Sequence, residues 1–134
     1  MATKINIKNL TEGYQSIITN GKHAIVGDEP ITSKGTDMGL APTELVLAGL
    51  AMCKATTVRH IARKNGWVIK DVDAQLEQTV ERGEHGLKTI VKINLQIEGE
   101  LSDEQKEELI KQADRCYIHR LLRGEWEIDP IVFS

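Results

Sequence analysis

The sequence predicts an α+β fold, a largely antiparallel sheet wrapped around one long central helix. Three observations carry this. Val72, Ala74, Leu76 and Val80 alternate with polar residues, as do Val91, Ile93, Leu95 and Ile97, the period-two pattern of half-buried strands. Residues 42–65 carry one uninterrupted helical stretch. Strand segments then come in groups between helices instead of in strict βαβ alternation, which favours antiparallel pairing. With 134 residues, 40% hydrophobic and 28% charged, the chain has the composition of one globular domain over residues 1–134 and buries a core without staples.

The opening segment reads as a β-meander. Ile5 and Ile7 alternate with polar neighbours, Tyr14 to Thr19 is β-prone, and Asn20-Gly21 predicts a two-residue turn before His23 to Val26. Asp28 to Leu40, rich in Gly, Thr, Ser, Asp and Pro, is a connecting loop. Its Lys34-Gly35-Thr36-Asp37-Met38-Gly39 lacks the spacing and the Gly-Lys-Ser/Thr ending of a phosphate-binding loop.

Pro42 and Glu44 suit the first turn of a helix, and Asn65-Gly66 suits its end. Twenty-four residues make it about 36 Å long. In Leu45 to Cys53 the apolar side chains go all the way round, which demands burial on every side. One sheet covers only one side, so a homodimer in which two such helices meet is the economical arrangement. Gly83 to Gly86 turns the two long strands into a hairpin. Ser102 and Gln105 form a capping-box pattern ahead of a helix over about 103–115, a short helical turn follows Cys116, and Trp126 to Phe133 reads as a final strand.

Lys+Arg 17 against Asp+Glu 20 leaves a net charge of −3, without the basic footprint of a nucleic-acid binder. The longest nearly apolar run, Leu45 to Cys53, is short of the roughly 20 residues that span a bilayer, and Met-Ala-Thr-Lys-Ile-Asn opens without an apolar signal segment. The expectation is a cytoplasmic protein with no nucleic-acid or membrane partner.

The chemistry rests on two cysteines, which in a reducing compartment read as free thiols or a redox pair. Cys53, in the middle of the long helix, is beyond the reach of that helix's own N-terminal dipole and taken alone reads as a small core hydrophobe. Thr57 and His60 lie near its face, whereas Glu44, nine residues back, projects opposite. Cys116 precedes Tyr-Ile-His-Arg, where Arg115, His119 or Arg120 would favour its thiolate. Cys-x-x-His is half a zinc motif, and His23, His60 and His85 supply no second half at ligand spacing, so no metal or other cofactor is expected.

Thr36 to Cys53, Gly66-Trp67, Leu101 to Gln105 and Ala113 to Arg120 together resemble the OsmC/Ohr family of osmotically induced and organic hydroperoxide resistance proteins. The resemblance implies an intertwined homodimer with its active sites at the subunit interface. It also implies a thiol-dependent peroxidase acting on organic hydroperoxides, with Cys53 as the nucleophile that becomes a sulfenic acid and Cys116 as the resolving thiol. Glu44 is the candidate for polar support, and an external thiol or dithiol is the reductant. The chain departs from the best-characterised peroxidases of that family in having no arginine before Arg59, which leaves Lys22 or Lys34 to supply a cation, and in having Thr43 where they have Glu. The rival expectation is a ligand-binding or redox-sensing dimer that turns over no peroxide.

Overall fold

The computed structural model describes residues 2–134. Among these residues five strands and three helices follow the order β1 (Asn6–Asn9), β2 (Ser16–Thr19), β3 (Ala24–Gly27), α1 (Pro42–Asn65), β4 (Ile69–Gly83), β5 (Gly86–Gly99), α2 (Asp103–Ala113) and α3 (Tyr117–Arg123), with a 3-10 turn at Ile31–Ser33. Helices and antiparallel sheets make it an α+β chain. It divides into two compact units, Met1–Ala48 and Gly49–Ser134, with α1 beginning in the first and ending in the second.

In the first unit β1, β2 and β3 form the expected antiparallel meander. Thr19 pairs with Ala24 and the Asn20 N–H donates to the His23 carbonyl at 3.3 Å, so the turn falls on Gly21-Lys22, one residue later than the Asn-Gly pattern predicts. The cause is local. Asn20 Oδ1 accepts from the N–H groups of Lys22 and His23, at 3.0 and 2.8 Å, and Gly21 takes the positive φ of 94°.

The 28–40 loop is organised by one carboxylate. Asp28, 4% exposed, accepts from the N–H groups of Tyr14, Glu29, Thr36 and Met38 and from the Thr36 hydroxyl. Burial opposes its ionisation, but the Thr36 hydroxyl and the Met38, Glu29 and Tyr14 amides outweigh burial and hold the pKa down to about 2. Among the described residues of this unit only Gly27 and Asp28 are buried, and Ile7 and Ile25 stay 61% and 53% exposed. Such a meander has no core of its own.

The second unit holds the core. α1 starts with Glu44 Oε1 accepting from the Ala41 N–H at 2.9 Å, half of a capping box. It ends where Gly66 at φ 71° lets its own N–H reach the Arg63 carbonyl and the Trp67 N–H reach that of Ala62, a Schellman closure. By length and hydropathy this helix would also suit a bilayer. Yet only one stripe of it, Leu50, Lys54, Val58 and Ala62, is buried, while Met52 is 73% exposed. Within one chain the helix is covered on one side.

β4 and β5 pair antiparallel from Ile69–Gly99 to Gly83–Gly86, with a register shift between Ile69 and Val72. Their half-buried face, including Val72, Leu95 and Ile97, packs on a cluster of Val58, Ala62, Leu109 and Ala113. α2 opens with the full capping box, Ser102 accepting from the Gln105 N–H and Gln105 accepting from the Ser102 N–H. It stops at Ala113, before the expected 115, because Cys116 turns extended (φ −61°, ψ 154°) to cap α3.

The expected last strand is absent. Among the described residues no strand edge takes up the hydrogen bonds of residues 126–133, so the segment forms no strand, with Ile128 82% and Phe133 96% exposed. Its start is tied down through the Trp126 indole N–H on the Leu121 carbonyl at 2.8 Å.

Candidate active site

Cys53 sits in unbroken helix, where the backbone N–H groups around it are already used. A donor for its sulfur has to come from another element. It comes from α3, whose first N–H groups lack partners within their own helix: the Ile118 N–H donates to Cys53 Sγ at 3.4 Å. The sulfur thus receives a donor from a helix start, but from a helix 65 positions away in sequence.

The same connection brings Cys116 in. Cys116 is 2% exposed and lies close enough to Cys53 for each thiol to act on the other's ionisation, while both remain free thiols. Burial, the largest influence, pushes the Cys116 thiol up. The His119 N–H pulls it down without reaching a full capping hydrogen bond, Cys53 raises it, and the charge of Lys54 lowers it. The balance is upward, in favour of the neutral thiol.

Lys54 escapes a sequence reading altogether. A lysine beside a cysteine carries no motif, and the rule that lysines stay exposed argues against it. Yet the spacing of four from Leu50 and to Val58 puts it on the core stripe, where it is 1% exposed. Its Nζ donates to the Ala113 carbonyl at 3.0 Å and lies 3.0 Å from His119 Nδ1. His119 is shifted down, first by burial, then by the charges of Lys54 and Arg123, with Asp114 opposing. A neutral imidazole accepting from the ammonium fits that direction.

The other expected contributors have different duties. Glu44 is engaged with the Ala41 N–H at the helix start, and the Thr57 hydroxyl donates to the Cys53 carbonyl at 2.8 Å. The Arg120 guanidinium lies 5.6 Å from the centre of the Tyr117 ring. Lys22 and Lys34 are exposed residues of the first unit. Among the described residues, no cluster of three or more His, Cys, Asp or Glu is placed to hold a metal ion.

Beside the Cys53 thiol opens a groove of about 420 Å³, lined by Gly49, Met52, Cys53, Thr56, Thr57, His60 and Ile118. Its wall is mostly apolar, and His60 and the threonines set the polar groups within it. A half-buried thiol with a fixed N–H donor, a second thiol nearby and an apolar groove in front presents a nucleophilic sulfur to a carbon-rich molecule.

A family model for OsmC-like proteins matches residues 35–130, well over half the chain, so the protein belongs to the OsmC-like family. Its fold is similar to those of solved structures. The organic hydroperoxide resistance protein OsmC of Legionella pneumophila aligns at 24% identity and TM-score 0.68, over 92% of this chain and 90% of that one. An OsmC-like protein of Mycoplasma pneumoniae aligns at 21% and 0.72, again over 92% and 90%. The organic hydroperoxide resistance protein OhrB of Bacillus subtilis aligns at 20% and 0.66, over 92% of each. No curated protein matches the sequence.

Proposed function

We propose that this chain is a thiol-dependent peroxidase that reduces organic hydroperoxides in the cytoplasm, working as a homodimer of one OsmC-like domain over 1–134. One observation carries the reading: two free thiols 63 positions apart come close enough to act on each other's ionisation, and the half-buried one, Cys53, lines an apolar groove. Kinship with proteins named for hydroperoxide resistance supports it.

In the proposed cycle the Cys53 thiolate attacks the outer oxygen of the hydroperoxide. The S–O bond forms, the O–O bond breaks, and the alkoxide takes a proton and leaves as alcohol, with Cys53 now a sulfenic acid. Cys116 gives up its proton and attacks that sulfur, water leaves, and a disulfide joins the two. An external dithiol restores both thiols by exchange and is itself oxidised to a disulfide. The apolar groove rewards a carbon tail and so favours organic hydroperoxides over hydrogen peroxide. Glu44 supports the site through the helix start that its carboxylate caps.

The homodimer is supported by what one chain leaves uncovered: the apolar side chains of the meander, Met52 on α1, and the exposed tail. A monomeric mass in solution removes this part of the proposal.

The test mixes reduced protein with one equivalent of cumene hydroperoxide, follows peroxide loss by stopped flow and maps the products by peptide mass. Rapid consumption ending in a Cys53–Cys116 disulfide is expected, abolished in Cys53→Ser and arrested at sulfenic acid in Cys116→Ser. Oxidation no faster than that of free cysteine sinks the peroxidase. The absence of any arginine before Arg59 favours the second reading, a redox-sensing or ligand-binding dimer, which predicts slow oxidation without turnover.

A further inference from the structure

Lys54 is an ammonium on an apolar stripe, and a buried charge is costly unless acceptors and an opposite charge meet it. Its two hydrogen-bond partners, the Ala113 carbonyl and His119 Nδ1, are both uncharged, and no carboxylate is bonded to it. Three N–H bonds leave one direction over after those two partners. The charged and titratable groups that bear on this spot are Cys53 next to it in the chain, Cys116 before α3, and His119 with Asp114 and Arg123 acting on it. Asp114 is exposed, whereas Lys54 Nζ bonds to Ala113 and His119, three residues before and three after buried Cys116, so the buried group beside it that becomes negative by losing a proton is the thiol pair.

We propose that Lys54 is a positioning residue for the thiol pair, a buried ammonium whose counter-charge is the single negative charge that Cys53 and Cys116 share. The proposal rests on the reading of these cysteines as reactive groups and goes beyond it by naming what makes them so. The charge belongs to the pair, because interacting thiols titrate together. The Ile118 N–H donates to Cys53 Sγ, which draws that charge to the partly exposed sulfur at the groove. Neutral partners anchor the ammonium without cancelling it.

Alkylation of the reduced, full-length protein with iodoacetamide over a range of pH, with the labelled cysteine read by peptide mass, tests this without peroxide. Wild-type Cys53 is expected to react with an apparent midpoint below the value of about 8.5 of free cysteine. In Lys54→Met the midpoint rises and the rate at neutral pH falls at least about tenfold, the effect of one pK unit. Lys64→Met, at the exposed end of the same helix, leaves the profile unchanged. A Lys54→Met protein that shifts its thermal midpoint but keeps the wild-type pH profile makes Lys54 merely structural and overturns the proposal. Lys54→Gln carries the same expectation should Lys54→Met not fold, and a wild-type midpoint at or above about 8.5 overturns the proposal whatever the variants do. A normal profile without peroxide turnover defeats the peroxidase and spares Lys54; turnover with an unshifted Lys54→Met profile does the reverse.

Discussion

Leu109→Ala is the perturbation with the most calculable outcome. Leu109 is fully buried beside Val58, Ala62 and Ala113, with half-buried residues of β4 and β5 across from it. Truncation removes three carbons, worth roughly 2.4 kcal/mol at about 0.8 per methylene, and the cavity left behind brings the loss to about 3–4 kcal/mol. Urea unfolding at one fixed protein concentration measures it, fixed because an oligomer's stability depends on concentration. A loss of about 3 kcal/mol raises the open fraction roughly a hundredfold or more, so alkylation of buried Cys116 is expected to accelerate up to that factor where it proceeds through unfolding. A stability loss under about 1 kcal/mol with unchanged denaturant dependence would refute the assignment of Leu109 to the centre of this core.

Three further outcomes follow from the geometry. Ser102→Ala removes the acceptor for the Gln105 N–H and is expected to cost about 1 kcal/mol, readable by urea unfolding. Asp28, lowered from 3.8 to about 2, contributes stability that is fully present above pH 3.8 and lost as the pH falls through about 2; Asp28→Asn, which leaves amide donors facing its own NH₂, should flatten that acid limb in a thermal-shift series and lower the midpoint at neutral pH. Gly39→Ala drives a Cβ into the Val26 carbonyl, where backbone has to move, and the expected result is a lower thermal midpoint with the loop next to α1 opened to protease, against a raised midpoint for Gly49→Ala, whose Cβ meets nothing in the interior of α1.

How much was legible in the sequence differs by element. The ends of α1, the capping box at Ser102 and the β4–β5 hairpin follow from rules that act over a few residues, such as a proline's fixed φ, a side-chain oxygen near a free N–H, a glycine where φ is positive, and period-two burial. The structure repeats them nearly residue for residue. The family was legible as well, because its pattern lies in the cysteine contexts and the order of elements. The final strand was not. Trp126 to Phe133 has the composition of a strand, but a strand exists only where an edge accepts its hydrogen bonds, and composition does not name the edge.

The candidate site divides in the same way. Two cysteines and their contexts were evident from the chain, and so was an all-round apolar helix that one sheet would leave half covered. That Cys53 and Cys116 come near enough to influence each other, that the donor on Cys53 is the Ile118 N–H, and that the buried cation is Lys54 and neither Lys22 nor Lys34 depended on tertiary structure. Helix spacing assigned Lys54 to the core stripe, while its charge assigned it to solvent. Only the Ala113 carbonyl and the His119 imidazole, brought from about sixty residues away, resolve that conflict in favour of burial. Local rules choose an element for each residue, and contacts between distant elements choose its chemistry.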